Sequence, residues 1–457
     1  MSQVRIFPAV LAARAAMWLS RLLGRGKGSS LPGMIALKIF PGILDALAGQ
    51  TRRGIIMVTG TNGKTTTNNM IAGMVGSAGY GVVANLQGAN LISGVTTAFI
   101  EKASWRGKVD CDYACLEVDE ASFPAVSRKA PPRLVVVTNF FRDQLDRYGE
   151  LDKTVKFVQD ALCQLPESQL ALNADDPLVA QLQVITGLPA LFYGLGGNAG
   201  FPETEKFSVR EARFCPLCGK ELFYEYYYYG QLGNFRCSQC GFARPESSVQ
   251  AGEIVVTDSG ISCRVGYGKD NILLELPLRG LYNLYNALAA CSAGLLAGIE
   301  AAKISRFLRT YTPATGRMEH FRCHGKNIML NLVKNPTGFN ESLSLLLATE
   351  GYLDVLIAIN DNPADGRDIS WLWDVDFEVL EKNHRRLNIF VCSGSRAGEM
   401  GVRLKYAGVP LEKIVVEPHL KSAVERILDG AGQAAYLMTT YTALWPVEKE
   451  LRKYVDK

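Results

Sequence analysis

Two short stretches of this sequence place reactive side chains at spacings that chemistry requires. The first is Gly60-Thr61-Asn62-Gly63-Lys64-Thr65-Thr66. Small residues let backbone N–H groups converge on phosphate oxygens, and a following helix adds its positive end. Lys64 can reach the terminal phosphates of a nucleotide, and the Thr65 hydroxyl can ligate Mg²⁺. The usual Walker spacing would put glycine where Val58 stands, so the loop is a shorter G-x-x-G-K-T-T variant. It reads as an ATP or GTP site; the competing reading is a merely tight strand-to-helix turn. The second stretch holds Cys215, Cys218, Cys237 and Cys240, two C-x-x-C pairs with eighteen residues between them. Each pair is followed by a glycine, Gly219 and Gly241. Four thiolates at this spacing form a closed tetrahedral site, which suits structural Zn²⁺ and leaves no open position for catalysis. An iron–sulfur centre is the alternative. The tyrosines at 226–229 have little positive charge nearby and fit a ribbon strand better than a base-stacking platform.

These groups need elements to hold them. Residues 55–58 read as a strand running into the glycine loop, and residues 67–79 as the helix after it. Further β-rich runs at 113–118, 134–138 and 170–173 alternate with helix-compatible segments. That rhythm predicts a mostly parallel sheet with helices on both faces. A β stretch near 254–276 and a helix over 283–296 follow the cysteine region. A second α/β rhythm starts near Gly316, with strands at 355–359, 389–392, 414–416 and 435–438. The expected organisation is α/β throughout: an N-terminal helical segment over 1–35, a central ATP-binding domain over 36–315 with the zinc ribbon inserted at 211–245, and a C-terminal Rossmann-like domain over 316–457.

Composition narrows the function classes. Hydrophobic residues make up 48% of the 457 and charged residues 21%, the balance of a globular chain and not of a disordered one. A net charge of +4 gives no electrostatic reason to expect nucleic acid. Eleven cysteines, an odd number and mostly scattered, point to a reducing compartment. The apolar run at 10–23 is broken by Arg14 and Arg21 and lacks a cleavage signal. Leu11, Met17, Trp18 and Leu22 share a stripe that is expected to pack on the protein's own body, with a membrane-surface helix as the alternative.

GTNGKTT resembles the ATP loop of the Mur ligase family, which joins amines to carboxylates through acyl phosphates. Leu116-Glu117-Val118-Asp119 resembles the family strand that ends in a Mg²⁺-binding glutamate, which assigns that role to Glu117. Residues 138–146 resemble the segment TN…DHLD. Residues 280–286 resemble its G-x-H-N-x-x-N helix start, which implies that Asn286 contacts adenine with Asn283 in support. Gly316-Arg317-Met318-Glu319 resembles the hinge whose arginine meets the nucleotide. Departures exist: Gln144 replaces a histidine near a second Mg²⁺, and Asn331 and Lys334 replace an aspartate and a histidine. About fifty residues precede the loop, too few for the domain that reads UDP in many family members, so UDP recognition is not expected.

Residues 360–378 (DNPADGRDISWLWDVDFE after Asn360), together with the cysteine ribbon, resemble the amidating branch of this family from about Leu31 onward. Members of that branch are ligase subunits of lipid II isoglutaminyl synthases and work with a GatD-like glutaminase. The resemblance implies ATP-dependent conversion of the stem peptide's D-glutamate α-carboxylate to D-isoglutamine, with ATP, Mg²⁺ and structural Zn²⁺ as cofactors. It further implies that an aspartate of this loop completes the partner's Cys–His pair, with Asp368 preferred and Asp365 the alternative; Asp361, Asp374 and Asp376 read as structural. None of the lone cysteines sits in a G-x-C-x-G elbow, so ammonia is expected from the partner. The lipid-linked substrate implies a cytoplasmic protein at the inner membrane face, with peripheral contact at most. A folylpolyglutamate-synthase-like ligase and an ATP-binding zinc-ribbon module that gates a partner are the alternatives.

Overall fold

Residues 2–22, 30–85, 89–143, 151–197, 211–257, 259–313 and 318–456 are described by the computed structural model. They fall into two units. The first comprises Met1–Phe140, Leu151–Lys206 and Arg210–Tyr311, and the second Phe141–Glu150, Phe207–Val209 and Thr312–Lys457.

In the first unit, α1 (Ser2–Leu22), α2 (Leu31–Ile39) and α3 (Ile43–Ala48) precede β1 (Gly54–Thr59). There follow α4 (Lys64–Ser77), β2 (Val82–Ala84), α5 (Ile92–Lys102), β3 (Tyr113–Glu117), α6 (Phe123–Lys129) and β4 (Leu134–Val137). After α7 (Leu151–Leu162) come β5 (Gln169–Asn173), α8 (Pro177–Thr186) and β6 (Ala190–Leu195). A small hairpin, β7 (Phe223–Tyr229) with β8 (Leu232–Arg236), precedes β9 (Val249–Thr257), β10 (Gly260–Tyr267) and β11 (Asp270–Leu276). Two helices, α9 (Leu281–Leu296) and α10 (Ala301–Arg309), close the unit.

Nine strands form one sheet in the order β11-β10-β9-β6-β5-β4-β1-β3-β2. It is parallel from β2 to β9 and antiparallel only through β9, β10 and β11. Strand β3 is buried along its whole length, as parallel strands covered on both faces are. Because β1 lies between β3 and β4, the order in which strands are added reverses there, and a crevice opens at the carboxyl ends of these three parallel strands. Every residue assigned to the phosphates from sequence sits at that crevice or on the helix leaving it.

The N-terminal stripe needs correction. Helix α1 turns Ile6, Ala9, Val10, Ala13 and Met17 inward, while Leu11 and Trp18 point out, Trp18 being 64% exposed. Small alanines let α1 lie close against its neighbours, so they, and not the larger Leu11 and Trp18, mark the packed face. Arg14 donates to the backbone carbonyls of Ile100 and Ala103 at the carboxyl end of α5, where a cation meets the helix dipole. Helix α2 runs across the boundary expected at residue 35 and packs with α1, α3 and α5.

The second unit begins with β12 (Glu319–Cys323) and β13 (Lys326–Leu332), continuing with α11 (Pro336–Ala348) and β14 (Leu353–Ala358). After a 3₁₀ turn (Ser370–Asp374) come β15 (Leu387–Ser393), α12 (Ala397–Tyr406), β16 (Ile414–Val416), α13 (Leu420–Leu428), β17 (Ala434–Thr439) and α14 (Tyr441–Leu451). The sheet order is β12-β13-β17-β14-β15-β16, parallel except for β12. Apolar clusters cover both of its faces.

Candidate active site

Lys64 opens α4, and its Nζ lies 2.6 Å from the Gly60 carbonyl, 3.2 Å from that of Thr61 and 3.1 Å from Glu120 Oε1. Both partners of this ion pair are buried, 7% and 5% exposed. A cation is thus held at the positive end of a helix, where it concentrates charge for an anion. The loop is braced from behind. Asn139, just after β4, accepts the Asn62 N–H through Oδ1 at 2.9 Å and the Thr61 N–H through its carbonyl at 2.8 Å. Thr138 Oγ1 donates to the Asn62 carbonyl at 2.8 Å. Thr65 is half-buried on the first turn, and Thr66 is buried.

Glu117 ends β3 and pairs in register with Val58, which sets its carboxylate beside the loop. Its Oε1 accepts from Asn90 at 3.2 Å, while Oε2 is buried with no partner among the described residues. A buried carboxylate oxygen without a donor is the arrangement that a cation completes. Glu120, Asn90 and Asn139 were not assigned from sequence. For Glu120 the signal existed, since Glu117-Val118-Asp119-Glu120 crowds three carboxylates after a strand.

The proposed adenine residues reach the same loop from α9. Gly63 has φ +85°, and a Cβ built there would fall 2.0 Å from Asn286 Oδ1, so only glycine permits the approach. Asn286 also receives the Thr67 hydroxyl at 3.4 Å and donates to Asn283 Oδ1 at 3.4 Å. The structure therefore brings together residues 60–66, Glu117, Asn283 and Asn286. Arg317 and Gln144 lie outside the described residues. In the second unit, Asn331 donates to Ser342 at 2.9 Å, and Lys334 pairs with Asp143 at 2.6 Å.

The four ribbon cysteines converge. Their sulfurs all lie within 4.8 Å of one another, with Cys215–Cys240 at 3.6 Å and Cys218–Cys237 at 3.5 Å. Zn–S bonds of about 2.3 Å in a tetrahedron need sulfurs roughly 3.8 Å apart. The Cys240 and Gln239 N–H groups point at the Cys237 sulfur, and this donation holds its thiol down near about 6. The ribbon is wired to the sheet through two buried carboxylates at the end of β5. Arg244 pairs with Asp175, which also accepts the Tyr285 hydroxyl at 2.7 Å and the Leu195 N–H at 2.9 Å. Gln231 reaches Asp176 at 3.4 Å, and Asp176 caps α8 through the Leu178 N–H. Burial pushes the Asp176 carboxyl up to about 7. Tyr285 neighbours Asn286, so this link ends at the phosphate loop.

In the second unit the loop after β14 sits at the carboxyl end of the sheet, pinned by Asn360 N–H to Thr440 Oγ1 at 2.9 Å. Asp365 is buried and accepts both the N–H (2.7 Å) and the hydroxyl of Thr442 at the start of α14. Asp368 is half-buried; its Oδ1 caps the 3₁₀ turn through the Ser370 N–H at 2.8 Å. Asp361 accepts the Ser395 hydroxyl and pairs with Arg396 at 2.6 Å, and the two together, Ser395 first, hold its carboxyl below the usual range. Asp376 accepts from Asn340 at 2.8 Å.

Comparison with known proteins agrees with this geometry. The family description Mur ligase middle domain matches residues 58–218, and MurT ligase C-terminal matches residues 332–444. The chain is 36% identical over 450 residues to the lipid II isoglutaminyl synthase (glutamine-hydrolyzing) subunit MurT of Staphylococcus aureus strain COL, covering 98% of each chain. The chain belongs to the MurT family. The MurT of Streptococcus pneumoniae R6 is 34% identical over 438 residues, covering 95% of this chain and 94% of that one. Among solved structures, a pseudomurein peptide ligase type C from Methanothermus fervidus superposes with a TM-score of 0.67 at 22% identity, over 90% of this chain and 80% of the other. That likeness establishes a Mur-ligase-like α/β fold for this MurT family member.

Proposed function

We propose that this chain is the ligase subunit of a lipid II isoglutaminyl synthase. The α-carboxylate of D-glutamate in the lipid II stem peptide attacks the γ-phosphorus of ATP and ADP leaves. Ammonia then attacks the acyl carbon, phosphate leaves, a proton is lost, and the amide of D-isoglutamine remains. The observation that carries this is near full-length correspondence with two MurT subunits in a chain whose phosphate loop and Glu117 share one crevice.

Phosphoryl transfer asks the protein chiefly for position and charge. Lys64 supplies the cation that meets the β- and γ-phosphates, and Glu120 keeps its side chain aimed along the loop. Glu117, with its unpartnered oxygen, and Thr65 would hold Mg²⁺, which neutralises phosphate charge when bound. Asn286 and Asn283 serve the adenine. The sulfur spacing of Cys215, Cys218, Cys237 and Cys240 fits one tetrahedral Zn²⁺ and is too tight for a cluster that spreads its thiolates over several irons.

Ammonia comes from a GatD-like glutaminase. Burial pushes the Cys263, Cys291 and Cys392 thiols up to about 12, which removes them as nucleophiles. Asp368 is the carboxylate offered to that partner, since Asp365 is spent on Thr442. The lipid-linked substrate puts the complex at the inner face of the membrane. No described helix is long and apolar enough to cross it.

The test is mass spectrometry of lipid II incubated with the chain, ATP, Mg²⁺ and ammonium. A carboxyl-to-amide mass change that vanishes in Lys64→Ala is expected. No change with either ammonium or glutamine plus glutaminase would overturn the proposal.

A further inference from the structure

Helix α1 presents a second apolar stripe that the core does not use. Phe7, Leu11 and Trp18 stand at i, i+4 and i+11, which brings them to one side of the helix. They are 48%, 41% and 64% exposed, while Ile6, Ala9, Val10 and Ala13 fill the opposite side. The loop over residues 104–108 lies against α1: a Cβ at Gly107 would meet Ile6 at 2.1 Å, and Arg14 sits 5.3 Å from the Trp105 ring centroid. Trp105 is 59% exposed, with Arg106 and Lys108 exposed beside it. Helix α2, packed along α1, leaves Met34 and Ile39 uncovered.

The charge around this surface is predominantly positive. Residues 1–44 contain six basic side chains and no acidic one. Exposed Arg5 and Lys38 belong to them, joined by exposed Lys102, Arg106 and Lys108, against the exposed acids Asp45, Glu101 and Asp110, of which Asp110 is paired with Arg52. Exposed tryptophans among arginines and lysines, on a helix lying flat against its own protein, are the chemistry of an interfacial element. A second copy of the same surface would bring like charges together, and an anionic bilayer brings opposite ones.

We infer that the outward side of α1, with the Trp105 loop and α2, is a docking surface for an anionic phospholipid bilayer. The polypeptide stays on one side of the membrane, with its aromatic side chains in the headgroup region. The inference does not depend on the ligase reaction, because vesicles without lipid II and without ATP test it.

The experiment is co-sedimentation of the full chain with vesicles of phosphatidylglycerol and phosphatidylcholine in equal parts, against phosphatidylcholine alone. Preferential binding to the anionic vesicles, weakened by salt, is expected. The variant Phe7→Ser/Trp18→Ser/Trp105→Ser should bind at least about tenfold more weakly, since three apolar side chains lose their burial. In Arg5→Gln/Lys38→Gln/Arg106→Gln the apolar stripe is intact, and binding should fall about fivefold per charge removed. Thermal melting of each variant shows that the fold is retained. A chain that stays in the supernatant, binding that survives both variants, or a concentration-dependent dimer abolished by the serine variant would overturn the inference.

Discussion

Alanine at Gly63 and alanine at Gly76 are the same chemical change on either end of α4, and the structure gives them opposite signs. At Gly63 the backbone has φ +85°, where a Cβ costs about 1–2 kcal/mol. The new methyl would also lie 2.0 Å from Asn286 Oδ1, so the amide must swing away from Thr67 and Asn283. Two weak hydrogen bonds at about 0.5–1 kcal/mol each bring the strain at this junction to roughly 2–4 kcal/mol. If half to all of it is relieved only by moving Asn286 out of the nucleotide's reach, affinity for Mg·ADP falls by about fivefold at the low end and about 800-fold at the high end. At Gly76 nothing lies within 4 Å of the added methyl, and a helical alanine should stabilise by about 0.5–1 kcal/mol with affinity unchanged. Isothermal titration with Mg·ADP reads the first quantity and denaturant unfolding the second. Wild-type affinity in Gly63→Ala, or equal loss in Gly76→Ala, would refute the apposition of α9 and the loop.

Asp368→Asn should abolish glutamine-driven amidation and leave the ammonium-driven reaction intact, whereas Asp365→Ala should cost about 1–2 kcal/mol of stability by uncapping α14; equal loss with both nitrogen sources in Asp368→Asn would place that residue elsewhere in the mechanism. Elemental analysis should find one zinc per chain, lost in Cys237→Ser, and a full complement in that variant would remove the ribbon assignment. The Asp176 carboxyl, raised by burial from 3.8 to about 7, holds a proton in the folded chain that the unfolded chain releases. Its contribution to stability is complete below pH 3.8 and is lost as pH rises through about 7. Denaturation midpoints from about pH 5 to pH 8 should therefore fall more steeply in wild type than in Asp176→Asn, and parallel slopes would contradict the burial argument.

Chemistry that is local in the chain was legible before any coordinates. The phosphate loop and the cysteine pairs announce themselves because each needs contiguous residues at fixed spacing, and the alternation of strands and helices followed from apolar runs. Side chains recruited across the fold were not. Lys64 and Glu120 are 56 positions apart, and Asp175, Arg244 and Tyr285 come from three separate elements. Periodicity also failed on α1. Both of its sides carry apolar residues, and the smaller ones pack because they let helices approach. Asp368 is preferred to Asp365 in the sequence although spacing alone does not separate them, and the burial of Asp365 against Thr442 is a contact that no local pattern announces.

The ribbon is more than an ornament on the sheet. It enters after β6, returns before β9, and on the way hands Arg244 and Gln231 to two buried carboxylates. Excising it would take Arg244 from Asp175 and Gln231 from Asp176, at a few kcal/mol for the buried ion pair that is broken. If the four cysteines hold zinc as proposed, a chain starved of it would keep its phosphate-loop residues and lose the ribbon's support of Tyr285 beside Asn286, so trace-metal supply would limit how much of the protein is competent to bind nucleotide.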